Sequence, residues 1–227
     1  MTYNINDRFK IFGDMAKMVI NGYTSSLVVV GEGGLGKTHA VKQAIKDCVL
    51  YENEYVFFKG YSTARGLYNT LYDNNGKLIV FDDCDSVLED KVALNILKSA
   101  LDSYDEREIT WMAKMNKSDE YPSKFKFTGR VIFISNKKKS SIDQAVLSRS
   151  LCVDLDMTQD DKIERMRHIL DSILPEFEMA QKMQAIDFLE EVKANASLNM
   201  RTLIMVTKMV DCYPETWKDM ARYMVMG

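Results

Sequence analysis

The sequence predicts an α/β fold, a parallel sheet with crossover helices, followed by a small all-helical domain. Three observations carry this. Short, continuously apolar runs alternate with segments of helical period: Ser26-Leu-Val-Val-Val30, Lys77-Leu-Ile-Val-Phe81 and Gly129-Arg-Val-Ile-Phe-Ile134. A sheet covered on both faces requires such uninterrupted strands, because neither face meets water. The stretch Gly31-Glu32-Gly33-Gly34-Leu35-Gly36-Lys37-Thr38 lies between the first run and a helical segment, and it fits G-x-x-x-x-G-K-[ST]. Beyond Met157 no strand signal remains.

The elements follow in order. Phe9, Ile11, Phe12, Met15, Met18, Val19 and Ile20 are spaced for an amphipathic helix over residues 7–20, ended by Asn21-Gly22. The first strand, the glycine-rich loop and a helix over 38–47 come next. Tyr55-Val-Phe-Phe58 is a short strand of β-formers, and Ser62 or Thr63 can cap a helix running to Tyr72. After the turn Asp73-Asn-Asn-Gly76 comes the second buried strand, then one helix over 88–101 with Leu88, Val92, Leu94, Ile96, Leu97 and Leu101 inward. Two alternating stretches, Arg107 to Met112 and Lys124 to Thr128, flank the polar loop 116–122, which predicts a β-hairpin insertion near 106–128. Its plainer role is to cover a sheet edge. The third buried strand ends at Ser135-Asn136, and a helix over 141–147 leads to the strand 151–155. Helices are predicted at 159–173, 178–194, 199–211 and 214–226, with a capping box at Thr158/Asp161. The domains are therefore 1–156 and 157–227.

Composition bounds the possibilities. A chain of 227 residues holds one good-sized domain, or one with a small appendage. Thirty Lys and Arg against 33 Asp and Glu leave a net charge of -3, which argues against a globally basic nucleic-acid binder but does not exclude a local basic patch or a basic pore in a ring. The run Lys137-Lys138-Lys139 reads first as a solvated turn. Cys48, Cys84, Cys152 and Cys212 make no C-x-x-C pair, so buried free thiols in a reducing compartment are expected rather than zinc or disulfides. The N-terminus is polar and no apolar run reaches spanning length, so a cytoplasmic protein without membrane association is expected.

The chemistry starts at the loop. Its glycines let successive N–H groups converge on an anion, and the following helix adds its dipole. Lys37 places a charge against β- and γ-phosphates, and the Thr38 hydroxyl can ligate Mg²⁺. The apolar strand ending in Asp82-Asp83 supplies the acids: Asp82 for Mg²⁺, mainly through its water shell, and Asp83 as the carboxylate that deprotonates the attacking water. Asp85 is read as the N-cap of the next helix. A polar amide at the carboxyl end of a strand, Asn136, lies where open α/β sheets place ligands.

Over nearly its whole length the chain resembles the AAA+ ATPases. The landmarks are the phosphate loop 31–38, the strand ending in Asp82-Asp83-Cys84-Asp85, the strand ending in Asn136, Leu147-Ser148-Arg149-Ser150 before the last strand, and the helical lid. The acidic box and the Ser-Arg-Ser stretch are similar to the Asp-Glu-x-Asp and Ser-Arg-Cys motifs of clamp loaders. The resemblance implies a sheet of order 5-1-4-3-2 with a helical lid, ATP and Mg²⁺ as ligands, and self-assembly into a ring or filament. It also implies a nucleotide-binding set of Gly31, Glu32, Gly33, Gly34, Leu35, Gly36, Lys37, Thr38, His39 and Arg201, with Arg201 as sensor 2. Asn136 would be sensor 1 and Arg149 an arginine finger reaching a neighbouring subunit. Asp83 departs from the family's Glu, which bears on hydrolysis rate. The hairpin sits where Holliday-junction motors and superfamily 3 helicases carry one. The compact chain is also similar to small phage-encoded ATPases.

Three functions compete at this level. The first is an oligomeric ATPase acting on DNA or a DNA-bound protein in replication, recombination or helicase loading. The second is a protein-remodelling ATPase, for which Phe58-Lys59-Gly60-Tyr61 offers an aromatic pore loop. The third is a P-loop kinase, with the helical tail as its acceptor lid.

Overall fold

The computed structural model describes residues 3–102, 106–111 and 121–226. It consists of two compact units, one of residues 10–31 and 37–154, the other of residues 1–9, 32–36 and 155–227.

The first unit is built on a five-stranded parallel sheet. Its strands are β1 (Ser26–Val30), β2 (Tyr55–Lys59), β3 (Leu78–Asp82), β6 (Arg130–Ile134) and β7 (Leu151–Asp154), in the order β2-β3-β6-β1-β7. With the hairpin strands left out of the count, this is the 5-1-4-3-2 order of AAA+ sheets. β1 and β3 are buried at every position, as continuous apolar runs require when both faces are covered. One face packs Val28, Val30, Ile79, Phe81, Val131 and Phe133 with α3 (Ala64–Asp73) and α5 (Lys91–Leu101) through Leu67, Tyr68, Leu71, Ile96 and Leu97. α2 (Lys37–Asp47) follows β1, the short α6 (Gln144–Leu147) precedes β7, and most of α1 (Ile5–Ile20) also belongs to this unit.

The single helix predicted over 88–101 is two helices, α4 (Ser86–Glu89) and α5. Asp90 leaves helical geometry at φ −86°, ψ 119°, and its carboxylate accepts N–H bonds from Val92 (2.7 Å) and Ala93 (2.9 Å). The apolar period runs through this break, so periodicity could not show it, whereas the N-cap chemistry of Asp explains it.

β4 (Arg107–Thr110) and β5 (Lys124–Phe127) form a separate antiparallel pair, with Arg107 opposite Phe127 and Thr110 opposite Lys124. The predicted hairpin is present, but it does not pair with the main sheet. It packs on the helical layer instead. Tyr68 of α3 meets the rings of Trp111 (5.7 Å) and Phe125 (5.3 Å), and its hydroxyl donates to the Pro122 carbonyl at 2.6 Å. Arg107 is the anchor. Its buried guanidinium donates to the carbonyls of Ala100 (2.8 Å) and Gly129 (2.7 Å) and lies over the Phe127 ring. Residues 116–120 of the predicted polar loop 116–122 lie outside the described residues.

The second unit is helical: α7 (Gln159–Ile169), α8 (Met179–Val192), α9 (Met200–Cys212) and α10 (Trp217–Met226) around Met166, Ile186, Leu189, Leu203, Val206 and Trp217. The Thr158/Asp161 capping box opens α7 as predicted. α7 ends at Ile169 rather than at 173. The buried ammonium of Lys182 takes the carbonyls of Leu170 (3.4 Å) and Ile173 (2.7 Å), satisfying acceptors that a longer helix would have used. The first residues of α1 join this unit, with Arg8 donating to the Asp156 carbonyl at 2.8 Å and Arg165 lying 4.1 Å from the Phe9 ring centre. Among the described residues, no helix is long and apolar enough to cross a membrane.

Candidate nucleotide site

Strand register assembles the site. Lys59 lies opposite Asp82 and Asp82 opposite Ile134, while Val29 is also opposite Ile134. In a parallel sheet such partners are about 4.8 Å apart. The carboxyl ends of β2, β3, β6 and β1 therefore bring Lys59, Asp82-Asp83, Ser135-Asn136 and the start of the phosphate loop to one edge, the usual ligand edge of open α/β sheets.

Each side chain has a definite partner there. Lys37, the first residue of α2, is 4% exposed; its ammonium donates to the Gly31 carbonyl at 2.6 Å and to Asn136 Oδ1 at 3.0 Å. Thr38 Oγ1 donates to the Asp82 carboxylate (3.0 and 3.1 Å). The Asn136 amide reaches Asp83 Oδ1, so Asn136 links the loop lysine to the second acid. Asp83 itself takes a left-handed backbone, φ 56°. That costs a non-glycine residue roughly 1–2 kcal/mol, less for Asp than for most.

Asp85 is not the helix cap that the sequence suggests. It sits at the N-cap position of α4 but makes no side-chain cap bond. Its carboxylate instead accepts from the Ser135 hydroxyl (2.6 Å) and the Asn136 N–H (3.1 Å), which orients Asn136. The acidic box thus spends three carboxylates on three tasks: one beside Thr38, one beside Asn136 and one holding the turn that presents Asn136.

Sequence reasoning missed Lys59 as a site residue, reading it only as part of an aromatic cluster. Its ammonium lies 3.0 Å from Asp83 and 3.4 Å from Asp82. The hydrogen bond to Asp83, with the charges of both acids, raises its pKa above the usual lysine value. Burial pushes the Asp83 carboxyl up, but the hydrogen bonds from Lys59 and Asn136 and the charges of Lys59 and Lys37 outweigh it. Asp83 is held below the ordinary carboxylate range. Lys59 also lines an open groove of about 490 Å³ with Thr38, Lys42, Ile45, Tyr55, Phe57 and Asp82. The signal that could have found it is its place at the end of the strand paired with the acidic strand.

With Lys59 replaced by Met, both influences of the ammonium on Asp83 disappear and one of its oxygens is released. For a hydrolysis that uses Asp83 as its base, the basal rate is then expected to rise severalfold and the acid limb of the pH–rate profile to move to higher pH. The sign follows from burial, which then acts with less opposition. A slower variant with weakened nucleotide affinity would assign Lys59 to the phosphates instead.

The remaining expected site residues are placed as follows. Leu35 is buried, and His39 lies in the first turn of α2. Arg149 is engaged within its own chain: Nε faces Asp102 Oδ2 at 3.3 Å and Nη1 donates to the Ala145 carbonyl at 2.9 Å. Arg201 lies in the first turn of α9, where its N–H donates to Asn199 Oδ1 at 2.9 Å. Glu32 ion-pairs with Lys162 of α7 at 2.6 Å.

The donor set suits Mg²⁺. That ion keeps most of its waters and takes one or two protein oxygens plus substrate phosphates. A nearly buried carboxylate, Asp82, already paired with a hydroxyl, Thr38, offers that number, and among the described residues no larger cage of His, Cys, Asp or Glu forms.

No family model matches the chain. A curated relative, an uncharacterized 36.7 kDa protein from the nrdC–mobD intergenic region of Enterobacteria phage T4, is 29% identical over 97% of this chain and 74% of its own. The similarity to phage-encoded chains thus has a counterpart. Similar solved structures include the Thermotoga maritima RuvB Holliday junction branch migration motor, at TM-score 0.55 and 15% identity over 97% of this chain and 68% of that one. A proline-to-glycine mutant of RuvB from the same organism gives TM-score 0.58 at 12% identity, with 97% and 69% covered. At these identities the likeness is one of fold: a five-stranded parallel sheet of the same architecture, with a helical unit.

Proposed function

We propose that the chain is an ATP-binding and ATP-hydrolysing AAA+ ATPase that assembles with copies of itself and acts on DNA or a DNA-bound protein, in replication, recombination or helicase loading. The observation that carries the ATPase reading is the bonded set Lys37–Asn136–Asp83 beside Thr38–Asp82. Lys37 and the loop N–H groups would hold the β- and γ-phosphates. Thr38 and Asp82 would hold Mg²⁺, which screens phosphate charge when bound. Asp83 would take the proton of the attacking water, oriented by Asn136. Phosphoryl transfer asks for little beyond positioning and charge neutralisation, and these residues supply both. Arg149 from a neighbouring subunit would neutralise the charge that develops on the γ-phosphoryl oxygens, and Arg201 would serve as sensor 2.

The DNA reading rests on the fold shared with a branch migration motor and on the hairpin after α5. Its test is steady-state ATP hydrolysis with and without single- or double-stranded DNA. Severalfold stimulation that saturates with DNA and weakens with salt is expected. An unchanged rate would withdraw DNA as the partner and leave the ATPase reading standing. One observation favours the protein-remodelling reading: Tyr61, after Gly60 at φ 96°, is 82% exposed. Phe58 of the same cluster instead stacks on Phe81, so a single aromatic is presented. Stimulation by an unfolded polypeptide, abolished in Tyr61→Ala, would support that reading.

A further inference from the structure

Glu32 raises a physical problem for the proposed site. A phosphate loop works by surrounding an anion with N–H dipoles and a lysine, and a carboxylate as its second residue opposes that field. The helical unit contains the answer. Lys162 of α7 is 3% exposed, and its ammonium meets Glu32 Oε2 at 2.6 Å. A nearly buried lysine is costly to maintain unless it is paired, so this contact is a specific one. The loop is held a second time on the same unit. The Met200 N–H at the start of α9 donates to the Gly34 carbonyl at 2.9 Å. Gly34 has φ +76°, and a Cβ there would come within 3.1 Å of the Asn199 side chain. Residues 32–36 belong to this unit rather than to the sheet unit.

We propose that Lys162 is a positioning residue for the nucleotide site: it neutralises the Glu32 carboxylate and draws it to α7, so that the phosphate loop presents its N–H groups and Lys37, and not an acid, to the phosphates. Glu32 is then a tether to the helical unit rather than a phosphate ligand, and the effect reaches substrate only through the loop. The inference rests on the nucleotide reading given above.

The test is ATP affinity by calorimetry or a fluorescent ATP analogue, with thermal unfolding measured in the absence of nucleotide. Lys162→Met keeps the apolar stem and removes the charge. It is expected to weaken ATP binding by about threefold to fivefold, the scale of one partly exposed charge whose side chain is 54% accessible, and to leave kcat at saturating ATP unchanged. Lys162→Arg should retain affinity. The double variant Glu32→Gln, Lys162→Met should recover it, which loss of helical packing alone cannot produce. Glu32→Gln by itself removes the acid but leaves Lys162 without its counter-charge, so its unfolding temperature should fall, while it should bind ATP at least as tightly as the parent chain. The inference is overturned if Lys162→Met binds ATP normally, if the double variant is as weak as Lys162→Met, or if Glu32→Gln binds more weakly. A parent chain that binds no ATP at all would sink the nucleotide reading together with this one, and is distinguished by that control.

Discussion

Replacing Lys37 by alanine is expected to abolish detectable ATP hydrolysis and to weaken nucleotide binding by on the order of a hundredfold, the scale of losing a charge-assisted contact to phosphate in a sheltered site. The structure sharpens why. Lys37 is almost wholly buried and joins the Gly31 carbonyl to Asn136. Its loss removes a phosphate charge, the brace across the loop, and one positive influence on Asp83. Lys37→Met loses the same three contributions, because all of them belong to the ammonium, but it keeps the stem and so omits the loss of packing that Lys37→Ala adds. Both variants should unfold at nearly the parent temperature, since the sheet and helices around them are intact. Normal hydrolysis by either variant would overthrow the ATPase reading as a whole.

Arg149→Ala is expected to lower hydrolysis on the order of a thousandfold while leaving ATP affinity in place, as removal of an arginine finger does. In the single chain the guanidinium rests on Asp102 and on the Ala145 carbonyl. A partly exposed pair of this kind contributes about 1 kcal/mol or less to stability. A structural role alone therefore predicts a small fall in unfolding temperature and near-normal catalysis. The planar fork of arginine can address two phosphate oxygens at once, so Arg149→Lys should not rescue. Mixing separates action in trans from action within one chain. Lys37→Ala subunits have no usable site but keep the finger, and Arg149→Ala subunits have the reverse. Each alone should be nearly inactive, and the mixture should regain part of the activity. A mixture that co-assembles and stays inactive would return Arg149 to its ion pair with Asp102.

Much of this architecture is local in origin and so was legible in the residues. The buried strands could be read because a doubly covered strand has no alternation to hide it, and the phosphate loop because its glycines, lysine and threonine are contiguous. The helix after Thr158 was announced by its own capping box. What failed was of another kind. The break at Asp90 lay inside an unbroken apolar period, and the Asp85 carboxylate had an adjacent helix to cap yet bonded to Ser135 and Asn136, fifty positions away.

The sequence by itself determined the fold class, the order of elements along the chain, and the identity of Lys37, Thr38, Asp82, Asp83 and Asn136 as the candidate site. Those conclusions need only periodicity and residue types at short spacing. The tertiary structure alone decided which groups answer which. It set Lys59 against both acids, turned Asp83 through a left-handed backbone toward Asn136, put Arg149 on Asp102, and met Glu32 with Lys162. The reason is geometric. Parallel strands arrive at one edge from distant parts of the chain, and the register between them is set by burial of whole faces. A charge pair across that edge has no signature in either segment until the strands are laid side by side.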